Sequence, residues 1–463
     1  MQVKSTVKGF FDRNLVILLA GALLARLLIA IPAFADISRT SSCYDAVSYH
    51  MLAEHMLEGK GFSVSFEAPY EPNSTITPGY PAFVAAIYAI TGHSRLAVVL
   101  IQIVLNLSLL VLLYRFLKRR FTDKVGLWAG VLFIVDLNTA FYCTQLTTET
   151  LFTFLLVPCL ILVIRTFEEQ RFWPAVFSGA LLGTATLVRP ISLYFAAPLL
   201  IFTFLTRFRW RKLALWATVV GIQFAFVTPW IIRNRVVFGE MFYTTISDVN
   251  IYKYHAAPLK GLLEGKTRAQ AQAEFDIDAE QGQSDLNEAR RYRLYGKVAK
   301  SYLLRHPLPY IASLVGGGFA SLLYPITLGE AGTYFRGQVK GEKEGTSSRV
   351  LSLISEGRIG KALETVWDSR LRYLGTALLL LFTVYALFHL TKLGFGIRAY
   401  MVKGLRNPVM LLFLLTGLYF LGLLSFGFSP RARVPLEPLL VALAGIGLVV
   451  KRKKKKKGKV ERS

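Results

Sequence analysis

The first long polar segment of the chain contains residues that could do acid–base chemistry. Asp45 is followed by Tyr49, His50 and Glu54, and the apolar positions after Asp45 recur at helical spacing. This pattern predicts a short amphipathic surface helix that has Asp45 at its N-cap and ends at Gly59. A carboxylate there can cap the helix or accept a proton from a hydroxyl group, and its position alone favours the cap. His50 and Glu54 lie four residues apart, which suits a solvated helix face better than a metal pair.

Two further segments combine polar residues with tight turns. Glu149 begins an apolar run, where the helix dipole favours a negative charge, so it could be a cap or a site carboxylate. Two prolines surround Gly79 and Tyr80, which predicts a rigid turn before a run that is too short to span a membrane. A simple turn and a substrate contact through Tyr80 explain this segment equally well.

Arginines stand at the ends of three other apolar runs. Arg189 precedes Pro190, Arg233 precedes Asn234, and Arg431 and Arg433 lie in a proline-rich turn. A planar guanidinium group matches a phosphate well, although a single arginine of this kind more often extends to the membrane interface. Together, the three turns indicate an anionic lipid headgroup.

Composition defines the class of protein that must position these residues. Of 463 residues, 53% are hydrophobic and only 18% are charged, with a mean hydropathy of +0.45. Such values exclude a disordered or collagen-like chain, and three cysteines exclude a disulfide scaffold. Because the apolar residues occur in long runs, the chain is predicted to be a multi-spanning membrane protein.

The apolar runs predict the membrane-spanning helices. Candidate spans are 15–34, 96–114, 125–142, 150–164, 212–231, 373–391, 408–428 and 434–450. The stretch 172–206 is too long for one span, and Arg189-Pro190 should divide it into two short ones. The run 308–325 is ambiguous because three glycines lie at its centre. The first run is longer than a signal-peptide core, so it is predicted to be a retained anchor.

The net charge of +25 is concentrated in clusters between the apolar runs, including eight basic residues within 451–459. Clusters of this kind anchor cytoplasmic loops and contact anionic lipid, whereas nucleic-acid binders carry their charge on polar surfaces. Pairing the basic loops predicts about ten crossings with both termini cytoplasmic, provided that 308–325 makes no net crossing. Segments 35–78, 232–307 and 326–372 then face outside, and 35–78 is acidic.

This topology gives a division of the chain and three smaller expectations. The predicted parts are an N-terminal transmembrane module at 1–231 with the external loop 35–78, and an external region at 232–372 in which 308–325 is a re-entrant or spanning segment. C-terminal transmembrane helices at 373–450 and a basic cytoplasmic tail at 451–463 follow. Arg26 lies within the first span and should have a partner inside the bundle. Cys43 and Cys143 fall on the external side, where a disulfide is compatible with both, and Cys159 lies within a span.

The combination of an external acidic loop, external arginines and many spans suits sugar transfer from a lipid phosphate. A carboxylate would deprotonate an acceptor hydroxyl, which attacks an anomeric carbon as the lipid phosphate leaves. The arginines would stabilise the charge that develops on the phosphate. The sequence has no glycine-rich phosphate loop of the kind that binds a soluble nucleotide sugar.

An ordered set of residues also carries a family resemblance. Its members are Asp45, Tyr49, Ala53, Gly59, Gly61, Pro78-Gly79-Tyr80-Pro81, Gln102, Thr148-Glu149, Arg189-Pro190, Pro229-Trp230, Arg233-Asn234, Gly239, His306-Pro307, Arg431, Arg433, Pro435 and Pro438. In this order they resemble the bacterial members of the C-type (GT-C) superfamily of membrane glycosyltransferases. These are similar to the dolichyl-phosphate-mannose protein mannosyltransferases and to the aminoarabinose transferases of lipid A.

The resemblance implies an all-α polytopic membrane protein of the GT-C type in the cell (inner) membrane. It implies an inverting hexosyl- or pentosyltransferase that moves a sugar from a polyprenyl-phosphate donor to a hydroxyl of a lipid, glycan or protein in the cell envelope. Asp45 would be the base and Glu149 a second catalytic carboxylate. Many relatives carry a second acid directly after the aspartate, where this chain has Ala46.

The remaining site residues follow from the same resemblance. The implied substrate-binding residues are Tyr49, His50, Glu54, Tyr80, Gln102, Arg189, Arg233, Asn234, Arg431 and Arg433. No cofactor or nucleic-acid partner is implied, and a need for a divalent metal is left open. The alternative is a transporter or flippase of an anionic or lipid-linked substrate, which should show inverted repeats and broken helices meeting at mid-membrane.

Overall fold

The computed structural model describes residues 12–282, 286–323, 328–336, 359–424 and 430–450. The regular elements in these ranges are helices, which confirms the predicted all-α membrane fold. The predicted basic tail at 451–463 and most of the predicted external segment 326–372 lie outside the described residues.

The helices follow one another along the chain with short connections. In order they are α1 (Arg13–Ala35), α2 (Tyr44–Leu57), α3 (Gly79–Thr91), α4 (Arg95–Arg120), α5 (Asp123–Val135), α6 (Leu137–Tyr142), α7 (Thr148–Glu169), α8 (Phe172–Val188), α9 (Ala196–Leu205), α10 (Trp210–Phe238), α11 (Ile246–Asn250), α12 (Ala257–Glu264), α13 (Arg268–Glu280), α14 (Glu288–Arg305), α15 (Pro307–Leu323), α16 (Leu328–Arg336), α17 (Ile359–Lys403), α18 (Pro408–Leu424) and α19 (Glu437–Val449). Short 3₁₀ helices cover Ile37–Ser41, Pro190–Phe195 and Pro430–Leu436, and a π-helical turn, Ile251–Ala256, joins α11 to α12.

Six helical segments of the described chain are long and apolar enough to cross a membrane. They are α1, α4, α7, α10, Leu380–Lys403 of α17 and Arg431–Val449. Shorter apolar helices are α3, α8, Pro190–Leu205, α15 and Pro408–Gly422. The predicted division of 172–206 is confirmed, because α8 ends at Val188 and the chain turns at Arg189-Pro190. The three glycines of 308–325 do not interrupt α15, and the absence of a net membrane crossing by this run stays a prediction.

The single span predicted over 125–142 is wrong, because the helix breaks at Asp136. Asp136 is the N-cap of α6 and accepts a hydrogen bond from the Thr139 N–H at 2.9 Å. Its second carboxylate oxygen accepts from Lys392 Nζ at 2.7 Å and from the Tyr385 hydroxyl at 3.3 Å. Buried ion pairing therefore overrides the apolar pattern at this point.

The predicted partner of Arg26 is confirmed and also depends on this break. The Arg26 side chain is buried and donates to Asn106 Oδ1 at 3.0 Å and to the carbonyl oxygens of Phe133 and Ile134. These carbonyls lie in the last turn of α5, where a helix has no acceptor partners of its own. Arg26 thus stabilises the end of α5 inside the bundle.

The region after α10, which the sequence predicts to be external, forms a helical unit with its own hydrophobic core. Tyr252, Phe275, Tyr295, Ala299 and Leu303 are buried together between the π-helical turn, α13 and α14. A capping box starts α13 at Thr267, so this helix is stabilised locally. We call residues Ile246–Arg305 the external helical unit.

Candidate functional site

Asp45 lies in the first turn of α2 and is not its N-cap. Cys43 occupies the cap position in an extended conformation, and the first turn closes on its carbonyl oxygen through the Ala46 N–H. The predicted capping role of Asp45 is therefore wrong. Its side chain, 49% exposed, instead makes an ion pair across the molecule, with Oδ2 2.9 Å from Arg431 Nη1.

Arg431 connects Asp45 to a second carboxylate. Its Nε donates to Glu149 Oε1 at 2.7 Å, while its Nη1 faces Asp45. The Glu149 side chain is fully buried, whereas that of Arg431 is 15% exposed. One guanidinium group thus holds an inner and an outer carboxylate at fixed positions.

Arg189 completes a cluster of two acids and two arginines. Its Nη1 lies 2.5 Å from Glu149 Oε1, and its side chain is 20% exposed. Because the buried Glu149 carboxylate pairs with both arginines, its charge is compensated and it fixes their orientation. The described structure brings Asp45, Glu149, Arg189 and Arg431 together, and we call these four residues the ion cluster.

The proline-rich turn before α3 positions Arg189. The Thr77 hydroxyl donates to the Val188 carbonyl at 3.3 Å. A Cβ atom at Gly79 would lie 2.6 Å from the backbone carbonyl carbon of Leu187, so only glycine allows α3 to approach the end of α8 this closely. The segment therefore has a structural role, because it fixes the chain directly before Arg189.

Glu330 is a further carboxylate at the site that sequence reasoning missed. Its Oε2 accepts from the Tyr142 hydroxyl at 2.5 Å, and the Cys43 thiol is a second hydrogen-bond partner. Burial raises the pKa of Glu330, although the positive charge of Arg431 opposes this effect. Its position in a segment of low hydropathy, far along the chain from Asp45, gave no signal that could have identified it.

Tyr49, Tyr80 and Gln102 form a network of ring contacts and hydrogen bonds next to the ion cluster. The Tyr49 and Tyr80 rings meet edge to face with centroids 5.0 Å apart, and burial and the nearby Asp45 carboxylate raise the pKa of Tyr49. The buried Tyr80 hydroxyl donates to Gln102 Oε1 at 2.9 Å, and Gln102 donates to the carbonyl oxygens of Cys143 and Gln145. Tyr80 and Gln102 thus connect α3 and α4 to the turn before Glu149.

His50 and Glu54 lie outside the ion cluster. His50 Nδ1 hydrogen-bonds the Tyr88 hydroxyl at 2.9 Å, and Glu54 lies 3.4 Å from His50 and 3.3 Å from His93. Burial and the nearby Arg95 lower the pKa of His50, so its neutral form is favoured. Among the described residues, no three His, Cys, Asp or Glu side chains are arranged to hold a metal ion.

Arg233 and Asn234 hold the loop before α3 rather than joining the ion cluster. Arg233 stacks on the Trp230 ring at 4.7 Å and donates to the Asn73 carbonyl at 3.3 Å. The buried Asn234 amide donates to the carbonyl oxygens of Phe242 and Tyr243. These contacts connect the end of α10 to the loop before α3 and to the segment that follows α10.

Arg433 is also placed away from the ion cluster. It is 1% exposed and donates to Glu437 Oε1 and to the Ser321 carbonyl, both at 2.7 Å. Glu437 in turn pairs with Lys392, which also pairs with Asp136. Arg433 is thus part of a buried network that stabilises the bundle. The three cysteines are free thiols, so no disulfide joins Cys43 to Cys143.

A protein-family model matches a segment of the chain that contains two of the four ion-cluster residues. Residues 73–232 match the model of the dolichyl-phosphate-mannose-protein mannosyltransferase family. The expected resemblance to GT-C glycosyltransferases is thereby confirmed over this range, which includes Glu149 and Arg189 but not Asp45 or Arg431. No curated protein matches the chain.

Solved structures with a similar arrangement include two membrane enzymes. The archaeal oligosaccharyltransferase AglB from Archaeoglobus fulgidus, in complex with an inhibitory peptide and a dolichol-phosphate, has a TM-score of 0.46 and 14% identity over 93% of this chain. ArnT from Cupriavidus metallidurans bound to undecaprenyl phosphate has a TM-score of 0.42 and 14% identity over 93% of this chain and 76% of its own. The chain spans 50% of the length of AglB, and at these TM-scores the likeness carries no functional conclusion.

Proposed function

We propose that this protein is a membrane glycosyltransferase that uses a polyprenyl-phosphate sugar and a hydroxyl acceptor on the external face of the membrane. The observation that carries the proposal is the bridge from Asp45 through Arg431 to Glu149. It joins a half-exposed carboxylate, suited to proton transfer, to a guanidinium group suited to a phosphate, and Arg189 pairs with the same Glu149. The family match over residues 73–232 supports the same class of reaction.

Asp45 is the general base of the proposed reaction. Arg431 holds one carboxylate oxygen, and the exposure of the side chain leaves the other available to an acceptor hydroxyl. Asp45 takes the hydroxyl proton while the acceptor oxygen bonds to the anomeric carbon. The bond from that carbon to the phosphate oxygen breaks, and the polyprenyl phosphate leaves with the electron pair. A single displacement of this kind inverts the anomeric centre.

Arg431 and Arg189 bind the donor phosphate. Both keep N–H donors beyond those bonded to Glu149, because each guanidinium group carries five. Positioned donors stabilise the charge that grows on the leaving phosphate without reorganising during the reaction. The fully buried Glu149 orients the two arginines and has no exposed surface for an acceptor. Its proposed role is therefore positioning.

Asp45→Asn tests this mechanism directly. Protein in lipid nanodiscs is supplied with an undecaprenyl-phosphate sugar and an envelope extract, and transfer and donor binding are measured. A positioned base contributes about 10²–10⁴-fold, so transfer should fall by at least about a hundredfold with donor binding retained. Glu54→Gln is the matched control, because it neutralises a carboxylate of the same helix that lies outside the ion cluster. Full transfer by a folded Asp45→Asn protein would overturn the assignment.

A further inference from the structure

The external helical unit contains a basic cleft separate from the ion cluster. The cleft has a volume of about 870 Å³. Its charged lining consists of Arg290, Arg293, Lys297, Lys300 and Arg305 of α14, together with Glu240 and Asp248. Five basic and two acidic side chains leave a formal excess of three positive charges, which favours an anionic ligand.

Only some of the basic side chains that line the cleft make ion pairs. Glu240 pairs with Arg290 and Arg293, and Asp248 pairs with Lys300. A Cβ atom at Gly296 would lie 2.4 Å from the Asp248 carboxylate, so this glycine allows Asp248 to pack against α14. Within the described part of the chain, Lys297 and Arg305 make no ion pair, and both are exposed. These two side chains could therefore bind an incoming anion.

The ends of two apolar helices place the cleft at the membrane interface. The apolar helix α10 ends at Phe238, two residues before Glu240, and the apolar helix α15 begins at Pro307, two residues after Arg305. Leu304 and Leu308 are 80% and 78% exposed beside the basic side chains. A ligand in the cleft would meet cationic groups at headgroup level and apolar groups directly next to them, which is the pattern of an anionic lipid.

A second cleft adjoins the basic cleft and reaches the 3₁₀ helix that follows Arg189. It has a volume of about 250 Å³ and shares Asp248 and Arg293 with the basic cleft. Its other end is lined by Pro190 and Tyr194, and Pro190 directly follows Arg189. The two clefts therefore adjoin each other and together extend from the basic side chains to the segment that follows Arg189.

We infer that the basic cleft binds the anionic headgroup of a membrane lipid, and that this lipid is the sugar acceptor. The acceptor class rests on the proposed glycosyltransferase function, whereas lipid binding by the cleft does not. The headgroup phosphate or carboxylate pairs with Lys297 and Arg305, and its acyl chains lie along Leu304 and Leu308. The headgroup hydroxyl then extends along the second cleft toward the segment that follows Arg189.

Lipid binding is tested on the full-length protein in detergent. A fluorescent phosphatidylglycerol is the anionic probe, and a fluorescent phosphatidylcholine is the zwitterionic reference. The Lys297→Gln/Arg305→Gln variant should bind phosphatidylglycerol about tenfold more weakly, with no change for phosphatidylcholine. Arg268→Gln/Arg291→Gln is the matched control, because it removes the same charge from exposed positions of α13 and α14 that do not line the cleft. Equal phosphatidylglycerol binding by the wild type and both variants would overturn the cleft assignment.

The acceptor class is tested by isolating the labelled product. After mild acid has released the sugar of unused polyprenyl-phosphate donor, radiolabel should remain in a chloroform–methanol extract as a lipid that binds to an anion exchanger, and the Lys297→Gln/Arg305→Gln variant should make less of it. Label that remains with precipitated protein would overturn the lipid acceptor while leaving the proposed transferase intact. If no label is transferred to any envelope fraction, the proposed function itself fails, and the binding measurement still decides the role of the cleft.

Discussion

At the scale of single residues, the site depends on side chains that point in different directions from one short segment. Arg431 and Arg433 lie two residues apart in the 3₁₀ helix Pro430–Leu436, in which two residues correspond to about two thirds of a turn. Arg431 therefore meets Asp45 and Glu149, while Arg433 meets Glu437 inside the bundle. The sequence identified both arginines as candidates, but their separation required the conformation of the turn.

Glu330 gives a prediction about pH at this scale. Burial raises its pKa in the folded protein above the ordinary glutamate value. The protonated form therefore contributes stability that is present below the ordinary pKa and is lost as pH rises through the folded value. Glu330→Gln removes this dependence, so its melting temperature relative to wild type should increase as pH is raised from about 4 to 8. Parallel melting curves of the two proteins over this range would show that Glu330 does not titrate in this way.

At the scale of elements, the ends of helices could be predicted from the sequence better than their contacts. Glu149, Arg189 and Arg431 were identifiable because each is a charged residue beside an apolar run, and Asp45 because it begins a predicted surface helix in a polar segment. Their meeting could not be predicted, since Glu149 and Arg431 are 282 residues apart and no local pattern encodes such a contact. The break at Asp136 had a local signal, because aspartate is a preferred N-cap residue, but its buried ion pair with Lys392 on α17 could not be predicted.

The close approach of α3 to α8 leads to a prediction about Gly79. In Gly79→Ala, the new methyl group would meet the Leu187 backbone, so α3 or the end of α8 must move and Arg189 moves with it. We expect the stability to fall by about 1–3 kcal/mol and the KM for the donor to rise. Gly221→Ala is the control, because a Cβ atom at this glycine within α10 meets nothing within 4 Å. Thermal melts and donor titrations of both variants measure the difference, and equal behaviour would remove the positioning role of Gly79.

At the scale of the whole molecule, a buried ion network ties the C-terminal helices to the N-terminal bundle. Lys392 of α17 pairs with Asp136, which begins α6, and with Glu437, which begins α19. Gly445 of α19 also packs on Ala129 of α5, as small residues do where membrane helices approach closely. The network therefore joins α19, which directly follows the segment with Arg431, to the start of α6, which precedes the helix with Glu149.

Replacing Lys392 should lower the stability of the folded protein. Lys392→Met leaves two buried carboxylates with too little positive charge, and breaking a buried pair costs about 3–5 kcal/mol. Combining it with Asp136→Asn restores the charge balance, so the double variant should recover part of the lost stability. Melting temperatures in detergent measure both effects. A double variant less stable than Lys392→Met alone would contradict the charge-balance explanation.

The arrangement of the helix ends predicts which face of the membrane the site occupies. The residues of the ion cluster lie at the start of α2 and α7, after the end of α8, and before α19, and the external helical unit follows α10 on the same face. The opposite ends carry basic residues, including Arg120 at the end of α4, Arg207 and Arg209 before α10, and Arg211 in its first turn, and such residues favour the cytoplasm.

Cysteine labelling tests this orientation. Because Cys43, Cys143 and Cys159 are all buried, the wild-type protein should react little with a membrane-impermeant maleimide and serves as the background. Leu262→Cys, on the external helical unit, should then be labelled in intact spheroplasts, whereas Arg209→Cys should be labelled only after the membrane is permeabilised. Both substituted side chains are exposed, so burial cannot explain a missing signal. The reverse labelling pattern would place the ion cluster in the cytoplasm and exclude transfer to acceptors on the external face.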